Sequence, residues 1–169
     1  MIINIQTLTK QDTLDFDQEV QLSLKSLRLL SNVTDYKARV YGTVHKEGNL
    51  FAVKGDVDVT LVMICDRCMN AFDYPLHATL DDQFSNDEAH YLEDEDIKRV
   101  TKSSIDLSDS ILESIAMAMP MKALCGADCK GMCLKCGTNL NQNACECEKS
   151  DIDPRLEALK DIFCLNSKE

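Results

Sequence analysis

Eight cysteines stand in four short-spaced pairs, 65/68, 125/129, 133/136 and 145/147. A deprotonated thiol is a soft anionic ligand, and two thiols a few positions apart can chelate one ion. Four thiolates around a tetrahedral ion make the usual closed structural zinc site. The spacing therefore predicts one or two structural zinc ions, with the ninth cysteine, Cys164, left over as a packed thiol. Six of the eight lie in the 23 residues from Cys125 to Cys147, and the pair in Cys65-Asp66-Arg67-Cys68 waits far upstream for partners.

One assignment joins Cys65, Cys68, Cys125 and Cys129 in a first site and Cys133, Cys136, Cys145 and Cys147 in a second. Cys133-Leu-Lys-Cys136-Gly137 is the strongest knuckle, because glycine there lets the backbone turn with positive φ. Cys145-Glu-Cys147 is tighter than the usual spacing. A competing assignment groups 125, 129, 133 and 136, and leaves 65/68 with 145/147. Disulfides are the rival chemistry. They suit a secreted chain, and the N-terminus lacks the n-region, h-region and cleavage site of a signal peptide. A redox pair at 65/68 would call for a thioredoxin-like βαβ setting, whereas both flanks here read as strands.

Hydrolytic chemistry finds little support. His45 and His77 fall on polar faces of predicted strands, and His90 falls in an acidic stretch. No Ser/His/Asp set, phosphate-cradling glycine loop or HExxH motif occurs. A catalytic zinc keeps an open position, usually with histidine among its ligands, so all-cysteine sites predict a protein that is not an enzyme.

The elements that must position these thiols are strands. Ala38, Val40, Gly42 and Val44 alternate with Lys37, Arg39, Tyr41, Thr43 and His45, a half-buried strand. Glu47-Gly48-Asn49 reads as a turn. A second strand runs from Leu50 into Cys65, and a third carries Phe72, Tyr74, Leu76, Ala78 and Leu80 on one face. Pro75 marks the third as an edge strand or a bulge. The Cys65–Cys68 pair thus sits at a hairpin tip. Ile2, Ile3 and Ile5 predict a strand start, and residues 14–24 a strand followed by a loop.

Residues 81–96 hold eight acidic side chains and no Lys or Arg, and predict a solvated acidic loop. Ser110-Ile-Leu-Glu113 matches a capping box, with Ile111, Leu112, Ile115, Ala116 and Met119 on one helix face and Pro120 as its stop. Met117 and Met119 read as core filler. Asp153-Pro154 predicts the start of a last helix with Leu156, Leu159, Ile162 and Phe163 as its stripe.

The formal net charge is −11 over 169 residues. That argues against gripping nucleic acid by bulk electrostatics, which relies on Lys and Arg neutralising phosphates. No run approaches the roughly 18 apolar residues of a membrane span. A cytoplasmic protein without membrane or small-molecule partners is expected.

The strand ending in Cys65-Asp-Arg-Cys68-Met, followed by a strand bearing Pro75, resembles the C-x-R-C-L core of the YceD family, the large-subunit ribosomal RNA accumulation proteins. Pro120-Met-Lys-Ala-Leu-Cys125, then Asp128-Cys129-Lys-Gly-Met-Cys133-Leu-Lys-Cys136-Gly-Thr-Asn-Leu-Asn141 and Cys145-Glu-Cys147, resemble the family's P-x-x-x-L-C, DCKGLCPxCGxNLN and CxC elements. The resemblance covers roughly residues 34–164. Met69 and Met132 stand where leucines are usual, and Leu134 and Ala123 where prolines are usual; no thiol is lost. The resemblance implies a bacterial, cytoplasmic ribosome-biogenesis factor needed for large-subunit (23S) rRNA accumulation, binding rRNA or a ribosomal protein. Its contacts would then be Arg67, Lys122, Lys130 and Lys135, although Arg67 could simply offset the thiolate charge. Thiol density alone favours an alternative, a zinc- or thiol-redox-responsive interaction protein.

Together these readings predict an α+β protein. Residues 1–119 form an antiparallel β-sheet domain with the acidic loop at 81–96 and a helix near 110–119. Residues 120–169 form a cysteine-rich zinc region and a C-terminal helix.

Overall fold

A computed structural model of the protein describes residues 1–9, 12–24, 35–88, 90, 96–100 and 103–147. In chain order the elements are β1 (Ile2–Asn4), a 3-10 turn (Gln6–Thr9), β2 (Thr13–Ser23), β3 (Asp35–Glu47), β4 (Leu50–Ile64), β5 (Ala71–Ser85), β6 (Lys98–Arg99), β7 (Ser104–Asp106) and α1 (Ser108–Ala118). The fold is α+β. A five-stranded sheet has the order β2-β3-β4-β5-β6, and β1 pairs with β7 in a second, two-stranded sheet.

Period-two alternation sorts the large sheet into two faces. One face buries Ala38, Val40 and Val44 of β3, Val53, Val57, Val59 and Leu61 of β4, and Leu76, Ala78 and Leu80 of β5. α1 packs against β5 and buries Ile111 and Ile115. The other face stays wet. There Arg39 meets Asp17 at 2.7 Å, and His77 lies between Asp56 at 3.3 Å and Asp58 at 2.7 Å. Exposed pairs of this kind contribute little to stability. Among the described residues, no helix is long and apolar enough to cross a membrane.

β4 and β5 are the longest strands, and their antiparallel register holds unbroken from Leu50↔Ser85 to Ile64↔Ala71. Thr60 faces Pro75 in this register, with no bulge. β6 pairs only with Phe84 and Ser85, in parallel, so β5 is a free edge at Pro75 among the described residues. In the middle of the sheet Gly42 faces Gly55 across β3 and β4. A Cβ at Gly42 would run into the carbonyl oxygen of Lys54 and the Cα of Gly55, so the two backbones approach because neither residue has a side chain.

Three expectations change. β5 continues through Asp81 and Asp82 to Ser85, so the acidic stretch opens as strand rather than loop. These residues pair in register with Leu50–Lys54 of β4, and the Lys98 ammonium donates to Asp82 (3.2 Å), Ser110 (2.9 Å) and Glu113 (2.5 Å), tying β6 to β5 and α1. The same contacts remove Ser110 and Glu113 from a capping role. α1 starts at Ser108, whose N–H donates to the Asp106 carboxylate, and Ser110 is buried within the helix. The helix stops where Met119 turns extended before Pro120. Met117, expected in the core, is 87% exposed. The loop expected after residue 24, residues 93–95, Cys164 and the expected last helix lie outside the described residues.

Gly42→Ala is expected to cost about 2–3 kcal/mol, the scale of forced overpacking. Urea unfolding followed by circular dichroism measures it, and a wild-type midpoint would contradict the close approach of β3 and β4.

Candidate metal centre

The β4–β5 hairpin ends in the six residues 65–70, and its tip forms a compact knuckle. Cys65 N–H donates to the Asn70 carbonyl (2.9 Å), and Met69 N–H donates back to the Cys65 carbonyl (2.9 Å). The second CxxC repeats the pattern. Cys133 N–H donates to the Thr138 carbonyl (2.8 Å), and Gly137 N–H donates to the Cys133 carbonyl (2.9 Å). Both loops need one residue with positive φ, at Met69 (59°) and Gly137 (73°). Gly137 adopts it freely, while a left-handed non-glycine residue such as Met69 costs about 1–2 kcal/mol. The surroundings of the first knuckle must supply that cost.

They do so through the two residues between its thiols. Asp66 forms a reciprocal clamp with the segment after α1: its N–H donates to the Ala123 carbonyl (2.8 Å), and its carboxylate accepts from Ala123 N–H (2.8 Å). The Arg67 guanidinium donates to the carbonyls of Ala127 (3.5 Å) and Cys129 (3.3 Å). Cys125 and Cys129 are thereby delivered to the hairpin tip.

The structure brings the eight thiols into two groups, Cys65, Cys68, Cys125 and Cys129, and Cys133, Cys136, Cys145 and Cys147. Within each group the four sulfurs lie within 4.8 Å of one another. Cys65 Sγ is 3.8 Å from Cys129 Sγ, and Cys68 Sγ is 3.7 Å from Cys125 Sγ. A disulfide would need about 2.05 Å. Four sulfurs bound at about 2.3 Å to a tetrahedral ion stand about 3.8 Å apart. Both clusters could hold a metal ion, and the spacing fits zinc. In the first group Cys65 and Cys68 are buried at the end of the sheet, Cys129 is half-buried and Cys125 is exposed; in the second group Cys133, Cys145 and Cys147 are half-buried and Cys136 is exposed.

Four sulfurs so close cannot all carry charge without a cation. In the first group, burial raises the Cys65 thiol but the backbone N–H groups of Cys125, Arg67 and Cys68 outweigh it, bringing it down to about 6. Cys129 is lowered first by the Asn141 amide. Cys125 is pushed up to about 12 by Cys129, Cys65 and Cys68. Cys68 is drawn down by Asn70 N–H, but burial and Cys65 leave it raised. The second group divides the same way. Thr138 lowers Cys136 to about 6, and the N–H groups of Cys136 and Lys135 lower Cys133. Cys136 pushes Cys147 up to about 12, and Cys145 is raised by Cys133 despite the N–H of Cys147. Two thiols per group thus ionise readily, and a divalent cation would draw the proton from the other two.

Residues 53–163 match the family described as large ribosomal RNA subunit accumulation protein YceD. The chain belongs to the YceD family. It is similar to an uncharacterized protein of Mycobacterium leprae, 31% identical over 91 residues, 52% of this chain and 42% of that one. It is also similar to the large ribosomal RNA subunit accumulation protein YCED homolog 1, chloroplastic, of Arabidopsis thaliana, 43% identical over 49 residues, 29% of this chain and 15% of that one. The chain thus spans less than half of either relative. An uncharacterized protein of Bacillus subtilis, YlbN, is 24% identical over 164 residues, 96% of this chain and 94% of that one. No solved structure matches the chain.

The four basic residues expected as contacts sit differently. Arg67 spends donors on the carbonyls that seat the first YceD cluster. Lys122, Lys130 and Lys135 are exposed on the cysteine-bearing segment. Sequence reasoning missed Asp66, Thr138 and Asn141. A carboxylate between two thiolates is unfavourable unless something binds it, and that was the available signal for Asp66.

Asp66→Ala leaves the Ala123 N–H without its acceptor, a loss of about 1–3 kcal/mol for a buried donor. Because Cys125 is seated through Ala123, Zn2+ affinity at the first cluster is expected to fall about tenfold or more. Chelator competition on the purified protein measures it, and unchanged affinity would show that the clamp does not position the thiols.

Proposed function

We propose that this chain is a zinc-stapled, non-catalytic ribosome-biogenesis factor. It supports accumulation of large-subunit (23S) rRNA in a bacterial cytoplasm by binding rRNA or a ribosomal protein. The observation that carries the reading is the YceD family match, whose span includes all eight clustered thiols. Zinc is supported by the sulfur spacing and by the N–H donors that hold thiolate charge. The non-catalytic assignment is supported by ligand number, since four thiolates fill a tetrahedral ion and leave no position for water or substrate.

An all-thiolate zinc site carries a net charge of about −2. With the chain already at −11, phosphate contacts would be local. Lys122, Lys130 and Lys135, exposed on the cysteine-bearing segment, would supply them. A basic ribosomal protein suits the overall charge equally well.

Depletion should lower pulse-labelled large-subunit rRNA relative to small-subunit rRNA. Wild-type protein should restore the ratio and Cys68→Ser should not. Equal loss of both rRNAs would overturn the reading.

The second cluster, none of whose thiols is buried while Cys65 and Cys68 of the first are, favours a second reading, an interaction protein whose zinc responds to thiol oxidation. Mild peroxide would then release metal from the second cluster before the first, and metal retained at both clusters would exclude it.

A further inference from the structure

The two clusters are joined by one side chain. Asn141 lies in the loop between the two halves of the second cluster, yet its amide serves the first. Asn141 Nδ2 donates to Cys129 Sγ at 3.3 Å, and its Oδ1 accepts from Lys130 N–H at 2.8 Å. Nδ2 also donates to Asn139 Oδ1 at 2.9 Å, and Asn141 N–H donates to the same oxygen at 2.9 Å. The amide can face only one way. Lys130 N–H needs an oxygen, so the nitrogen is turned to the sulfur. None of these bonds reaches Cys133, Cys136, Cys145 or Cys147.

We infer that Asn141 is a positioning residue that couples the two metal sites, so that an ion at either strengthens binding at the other. The inference rests on the proposal that both clusters hold zinc. Asn141 is exposed, and what places it is its own loop together with the Lys130 N–H beside Cys129. That loop is shaped by the second cluster. Cys133 and Cys136 close one end, and Cys145 and Cys147 the other. Between them, Leu140 N–H donates to the Gly131 carbonyl (2.9 Å), and Met132 bridges Asn139. An ion drawing the four thiolates together fixes this path and presents the Asn141 N–H to Cys129. Without that ion, four crowded sulfurs repel, and the donor keeps only its bonds to Lys130 and Asn139 and the loop's few backbone bonds. A thiolate that has its N–H donor in place is the better ligand. Coupling between two binding sites is reciprocal, so the first ion must favour the second by the same factor.

Outer partners of metal ligands are worth about 10–100-fold in affinity, which sets the size of the coupling. The test adds Zn2+ stepwise to the reduced, metal-free full chain, with native mass spectrometry counting ions and a colorimetric chelator giving affinities. The wild type should pass from no ion to two with little one-ion species, whereas Asn141→Leu should accumulate it. Removing the second cluster with Cys136→Ser should weaken the first about tenfold or more in the wild-type background, but scarcely in the Asn141→Leu background. Circular dichroism of the sheet confirms folding in each, and the Asn141→Leu titration stands even if Cys136→Ser does not fold. Independent binding of two ions by the wild type, or equal weakening in both backgrounds, would overturn the coupling alone. A chain that binds no Zn2+ would overturn the zinc reading as well.

Discussion

Four sulfurs at the end of a hairpin, 3.7–3.8 Å apart in the measured pairs, are the constraint on which the rest of the chain depends. Four thiolates at that distance would need a cation between them, and a tetrahedral cation would take all four as ligands. Two of them come from the β4–β5 tip and two from a segment reached only after β6, β7 and α1. Cys68 and Cys125 are 57 positions apart. A cross-link closing a loop of that size removes denatured-state entropy worth about 4 kcal/mol in the chain-entropy picture. With an ion bound, the first cluster would act on stability as a staple between the sheet and the cysteine-rich segment. Cys65 and Cys68 are buried because the two longest strands carry the tip to the end of the hydrophobic core, while Cys129 is half-buried and Cys125 exposed.

The second cluster is built by the same local rule with less support. Its knuckle repeats the hydrogen bonds of the first, with glycine at the left-handed position where the first has methionine. The contrast has a physical reading. Gly137 needs no help to turn. Met69 is held in an unfavourable conformation by a knuckle clamped on both sides, through Asp66 to Ala123 and through Arg67 to Ala127 and Cys129. Two interior residues of a four-residue motif therefore do structural duty that their charges alone would not suggest.

Much of this was legible in the amino-acid order, and the failures follow a pattern. Strands β3, β4 and β5 were readable because one buried face imposes period two over 13 to 15 residues. Cysteine pairs were readable because chelation imposes short spacing. The joining of 65/68 to 125/129 stayed open on spacing alone, since that choice depends on where the chain returns after α1. The capping box failed for the same kind of reason. Ser110 and Glu113 have the right local pattern, but Lys98, 12 and 15 positions away, takes both side chains. Asp82 was placed in a loop by the charges around it, whereas it pairs in register with β4 and binds the same lysine. Local rules gave way wherever one long side chain gathered distant partners.

The contrast between the clusters argues for a division of roles. Removing the second ion alone would leave the β-sheet core and the hairpin tip intact, because all four of its ligands lie within residues 133–147. Removing the first would cut the tie between the sheet and everything after α1. Half of the first cluster's thiols are buried and none of the second's is. Having both, with Asn141 reaching from the loop of one to a sulfur of the other, lets the state of the exposed centre reach the tie at the end of the sheet.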